Sequence, residues 1–78
     1  MLAPEQCRAA RAWLQWSQID LAQKAEVSLS TIRDFEISKR VPIKHNLAAI
    51  RMALEHGGIQ FAFADDGRPT GLAIASKN

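Results

Sequence analysis

Four polar side chains close together carry the most recognisable chemistry in this sequence. Ser30, Thr31, Arg33 and Asp34 fall at the outward positions of a short helical segment. Short polar side chains near a helix N-terminus can enter a DNA major groove without steric conflict, and the N-terminal amides favour phosphate. Arginine binds guanine through two hydrogen bonds, serine and threonine hydroxyls bond several bases, and a carboxylate can accept from cytosine. Next to this segment the charge is one-sided. No acidic residue occurs between Glu36 and Glu55, while Lys39, Arg40, Lys44 and Arg51 do, with His45 beside them. Such a stretch is either a phosphate-facing edge or a solvated loop and helix surface.

Other chemistries find little support. His45 and His56 are 11 positions apart, not the four that place two ligands on one helix face, so no metal site is expected. Cys7 is the single cysteine, which excludes an internal disulfide, and it reads as a small buried hydrophobe. No glycine-rich phosphate loop ending in Gly-Lys is present. Asp65-Asp66-Gly67 is too short for a calcium loop and signals a turn. Trp13 and Trp16 are expected to pack in the core or against the C-terminal segment. With 78 residues the chain is one small unit, too short for a large catalytic pocket. An enzyme is therefore not expected, nor is a cofactor. The net charge of +2 does not by itself identify a nucleic-acid binder. Neither a signal peptide nor an apolar run of ~20 residues is found, so no membrane partner and a cytoplasmic location are expected.

Hydrophobic spacing predicts the elements that hold these residues. A first helix runs from Pro4 to about Leu14, with Pro4 at its first position and Cys7, Ala10 and Leu14 on one face. Ser17, three residues before Asp20, caps a second helix whose inner face is Leu21, Ala22 and Ala25. A break at Glu26-Val27-Ser28 leads to a third helix, about Leu29 to Glu36, with Ile32 and Phe35 inward and Val27 plugging the corner. Pro42 precludes easy continuation. A fourth helix, from Ile43 or Lys44 to Glu55, buries Leu47, Ile50 and Leu54 and ends in a left-handed cap at Gly57-Gly58. Ile59, Phe61 and Phe63 then alternate with Gln60 and Ala62 as in a strand, and Leu72 and Ile74 form a second. Ser76, Lys77 and Asn78 are expected to fray. The expected fold is mainly α, four helices with a C-terminal two-stranded β-hairpin. It divides into residues 1–57 and a hairpin extension, 58–78, that is a candidate dimerisation element.

The combination of these pieces resembles a known family. Ser17-Gln18-Ile19-Asp20-Leu21-Ala22, Val27-Ser28-Leu29-Ser30-Thr31-Ile32 and Phe35-Glu36-Ile37-Ser38-Lys39-Arg40-Val41-Pro42 are similar to segments of the phage repressor and Cro helix-turn-helix regulators, also called the Xre family. The likeness covers roughly residues 5 to 56. It implies a repressor-like bundle in which Gln18 binds backbone phosphate and props the reading side chains. By the same resemblance Leu29, Ser30, Arg33 and Asp34 face base edges, with Leu29 against a thymine methyl. Ser28 and Thr31 would cap the recognition helix or touch phosphate. Lys39, Arg40 and Lys44 would approach the sugar-phosphate backbone, and Arg11 would brace Glu36 in a buried ion pair.

Two departures bear on what the chain does. Glu26 and Ser38 stand where the family commonly has glycine, and a left-handed backbone costs a non-glycine residue ~1 kcal/mol or more. An altered turn or a destabilised motif is the consequence expected. Ile37 is an unusually apolar loop residue. The leading expectation is a sequence-specific transcriptional regulator, such as a repressor, binding double-stranded DNA as a homodimer. The alternative is a protein-binding module on the same scaffold, antiactivator or antitoxin-like, for which Leu29 and Ile37 are exposed apolar candidates.

Overall fold

A computed structural model describes residues 1–75; the fraying expected at 76–78 lies outside the described residues. Four helices, α1 (Pro4–Leu14), α2 (Gln18–Ala25), α3 (Leu29–Glu36) and α4 (Lys44–His56), precede two antiparallel strands, β1 (Ile59–Phe63) and β2 (Pro69–Ile74).

Local side-chain chemistry sets most of the helix starts. Pro4 occupies the first position of α1, and the Gln6 side-chain oxygen accepts from the Ala3 amide at 3.0 Å. At α2, Ser17 Oγ accepts from the Asp20 amide at 3.0 Å while Asp20 Oδ2 accepts from the Ser17 amide at 2.9 Å, a reciprocal box. At α3, Ser28 Oγ accepts from the Thr31 amide at 3.1 Å. The first three helices are each followed by a non-glycine residue in the left-handed region: Gln15 (φ 59°), Glu26 (φ 58°) and Ser38 (φ 61°). Of the two consequences expected at Glu26, an altered turn or a destabilised motif, the altered turn is not found. The left-handed geometry is retained and the strain is carried by a glutamate. At the end of α4 the glycine pair divides the work: Gly57 is right-handed (φ −76°) and Gly58 takes the positive φ of 111°. Gly57 is needed for a different reason. A Cβ there would lie 2.9 Å from both Leu14 Cδ1 and Trp16 Cη2, so any side chain would force the Leu14 and Trp16 side chains to shift.

The core joins every element. Cys7 and Ala10 of α1, Leu21, Ala22 and Ala25 of α2, Ile32 and Phe35 of α3, Leu47, Ile50 and Leu54 of α4, and Ile59 of β1 are all buried. Leu14, expected in the core, packs at its edge with Trp16, Val27, Phe61 and Leu72. Trp13 departs from expectation: it is 62% exposed, because the α1 face that carries it points away from the other helices. The strands pair Ile59 with Ile74, Gln60 with Ala73, Phe61 with Leu72 and Ala62 with Gly71, with a bulge before Phe63–Pro69. The second strand begins at Pro69, earlier than the apolar alternation indicates. Buried Gln6 fastens the hairpin to α1 by donating from Nε2 to the carbonyl oxygens of Ala62 (3.1 Å) and Gly71 (2.8 Å).

Candidate nucleic-acid interface

The three-residue turn Glu26-Val27-Ser28 joins α2 to α3, and the buried Ile32 and Phe35 fix which side of α3 faces outward. Leu29, Ser30 and Arg33 are exposed there, and Thr31 and Asp34 are half-buried. Ser28 Oγ lies 3.1 Å from Ser30 Oγ and 2.7 Å from Thr31 Oγ1, so three hydroxyls cluster at the N-terminus of α3. Among the described residues the ion pairs are Arg11–Glu36, Arg51–Glu55 and Arg68–Asp66; Arg33 is in none of them.

The loop after α3 is held from its first residues. The backbone carbonyl of Asp34 accepts from the amides of Lys39 (2.8 Å) and Arg40 (3.3 Å). Lys39, Arg40 and Lys44 are all exposed. Between α3 and the start of α4 lies a cleft of about 220 Å³. Ser30, Thr31, Asp34 and Arg40 line it, and so do Val41, Ile43 and Asn46. These last three were not singled out from the sequence. Asn46 had a signal: it lies four residues before Ile50, a polar residue on the row that is otherwise apolar. Val41 and Ile43 had none, because an apolar loop residue is ordinarily assigned to packing, yet they are 64% and 69% exposed.

Gln18 stands apart from this group. Its Nε2 donates to Glu36 Oε1 at 3.0 Å, so the side chain is committed inward through one amide hydrogen. The second amide hydrogen remains for another acceptor. Glu36 is 2% exposed and is the hub of the network. Arg11 donates to it from Nε (2.8 Å to Oε2) and Nη2 (2.8 Å to Oε1) in the two-pronged geometry that arginine and carboxylate favour. Cys7 Sγ donates to Oε2 at 3.2 Å, and Arg8 Nη1 donates to the Glu36 backbone carbonyl. Burial pushes the Glu36 carboxyl up, but the hydrogen bonds from Arg11, Gln18 and Cys7 outweigh it and hold the value below its ordinary 4.5. Burial first, then the Glu36 charge, pushes the Cys7 thiol well above its usual range. That keeps it an un-ionised donor rather than a nucleophile. Among the described residues no cluster of three or more His, Cys, Asp or Glu could hold a metal ion, and no helix is long and apolar enough to cross a membrane.

The site therefore has an exposed hydroxyl-and-arginine surface on α3, a basic loop beside it, and a cleft of mixed polar and apolar lining between them. Neither protein-family models nor curated proteins give a match to this chain.

Proposed function

We propose that the chain is a sequence-specific DNA-binding regulator, with α2 and α3 acting as a helix-turn-helix in a repressor-like bundle and α3 entering the major groove. The observation that carries this reading is the grouping of Ser30, Thr31 and Arg33, which has no ion-pair partner among the described residues, on the outward side of α3, flanked by exposed Lys39, Arg40 and Lys44. Arg33 supplies two donors to guanine, and Ser30 and Thr31 supply adaptable hydroxyls. The basic loop sets register on the phosphates, and Gln18 offers its second amide hydrogen to the backbone. Asp34 restricts the bases accepted, since a carboxylate in the groove is tolerated only opposite a donor such as cytosine N4.

A homodimer on an inverted repeat goes with this reading. Two recognition helices must lie about one helical turn, ~34 Å, apart. The decisive experiment is fluorescence anisotropy at physiological salt with duplex DNA from upstream of the protein's own gene and a scrambled duplex of equal length. Binding at least ~10³-fold tighter to the first is expected. Equal affinity for both, or none for either, overturns the reading.

A second reading rests on exposed Ile37, Val41 and Ile43, an apolar group interleaved with the basic loop. It makes the same face a protein-binding surface of the antiactivator or antitoxin kind. Under it, substitution of those three residues abolishes a protein contact, and the unsubstituted chain itself binds DNA little.

A further inference from the structure

The hairpin carries an open edge that the DNA-facing surface does not explain. In an antiparallel ladder, hydrogen-bonded and non-hydrogen-bonded pairs alternate. The bonds from the Ala75 amide to the Gly58 carbonyl (2.6 Å) and from the Ala64 amide to the Arg68 carbonyl (2.8 Å) mark the two ends of this ladder as hydrogen-bonded. With the observed register, Gln60–Ala73 and Ala62–Gly71 are the other hydrogen-bonded pairs. The amides and carbonyls of Leu72 and Ile74 therefore point away from β1, and no described residue pairs with them.

What lies beside that edge is shaped to receive a strand. A groove of about 420 Å³ runs between β2 and α1, walled by Pro69 to Leu72 on one side and by Glu5, Gln6 and Ala9 on the other. Exposed Trp13 continues the α1 row of Glu5 and Ala9 at four-residue spacing. Ile74, on the helix-facing side of the sheet, is still 43% exposed, whereas its cross-strand neighbour Ile59 is buried. Natural edges are protected by charges, prolines, bulges or covering elements. Here Pro69 and the bulge at Thr70 guard the start of β2, but Gly71-Leu72-Ala73-Ile74 carries no charge.

We propose that β2 of a second copy pairs antiparallel with this edge, about a two-fold axis at Ala73, to give a continuous four-stranded sheet. This deepens the dimer reading above and rests on it. In this register Leu72 of each copy faces Ile74 of the other as a hydrogen-bonded pair, and four hydrogen bonds use every outward amide and carbonyl of both residues. The exposed Ile74 is covered by an apolar neighbour. Ala73 meets its own symmetry mate through two small side chains on the outer face. The strand's lack of charge is what selects a second copy as occupant. Self-pairing sets like residues near like, and any charged position close to the axis would meet its own sign.

The register fixes the test. Across a non-hydrogen-bonded antiparallel pair the Cα atoms are ~4.5 Å apart, inside the range a disulfide spans. In the full chain without DNA, Ala73→Cys is expected to give a disulfide-linked dimer on mild oxidation. Gln60→Cys, on the same outer face but on β1, is expected to stay monomeric. The native Cys7 is buried and leaves the wild type as a clean control. Ile74→Pro removes an amide that β1 does not use. It is expected to shift the light-scattering mass from twice 8.6 kDa to 8.6 kDa with the circular-dichroism spectrum retained. A wild type that is monomeric at millimolar concentration, an Ala73→Cys variant that does not cross-link, or a Gln60→Cys variant that cross-links as readily, overturns the proposal. Cross-linking is read without DNA, so its failure is separate from failure of the DNA reading, which the anisotropy of the wild type reports.

Discussion

Arg33 and Glu36 lie three residues apart on α3 and take opposite roles, because one faces solvent and the other is sealed against α1. Replacing exposed Arg33 with alanine is expected to leave stability within ~0.5 kcal/mol. It should cost ~1–3 kcal/mol of specific DNA affinity and relax the preference at one base pair, measured by binding to a panel of single-base operator variants. Glu36 belongs to stability. Arg11→Met leaves a buried carboxylate with half its donors gone, and a loss of about 3–5 kcal/mol in urea unfolding is expected. The pH dependence follows from the same contacts. The folded Glu36 value is depressed below 4.5, so its contribution is present above that pH and is lost as pH falls through the lower folded value. In Glu36→Gln that portion of the acid-side decline should vanish. Cys7 works at the other end. Its folded value is raised, so its contribution is full below the ordinary 9.0 and falls as pH climbs beyond it. In Cys7→Ala the alkaline decline should be shallower.

At the level of elements, the turn between α2 and α3 is held by competing local terms. Glu26 at φ 58° strains the backbone, while Ser28 satisfies the first turn of α3. Glu26→Gly should stabilise the protein by ~1 kcal/mol, equivalent to a rise in Tm of about 4–8 °C for a chain of this size. Ser28→Ala should cost ~1 kcal/mol. If Glu26→Gly lowers Tm, the left-handed geometry at the turn is wrong. The helices themselves were legible in the sequence, since proline, serine caps and apolar spacing act within a few residues of one another. The ends were less so. Gly57 and Gly58 are adjacent: Gly58 takes the positive φ, while Gly57 has no room for a Cβ because Leu14 and Trp16 approach it closely. That approach is a contact with the far end of another helix.

Across the whole molecule, the proposed DNA binding divides into phosphate contacts and base contacts. Lys39→Ala should weaken binding to all sequences alike and reduce the slope of log affinity against log salt by about one unit. Ala73→Cys cross-linking and this salt slope test the two proposals separately, one the self-pairing of β2 and one the contact with a duplex.

Local chemistry and periodicity within the chain determined four helices, two strands and most of the core, together with the hydroxyls and the arginine on the outward side of α3. Turn residues, caps and apolar stripes need only near neighbours, so a one-dimensional record suffices for them. The inward commitment of Gln18, the exposure of Trp13, Val41 and Ile43, the place of Asn46 in the cleft and the open edge at Leu72 and Ile74 were decided only by the tertiary structure. Each depends on what a distant segment leaves covered or uncovered. Burial and unpaired backbone groups are properties of the packed molecule rather than of any single stretch of its sequence.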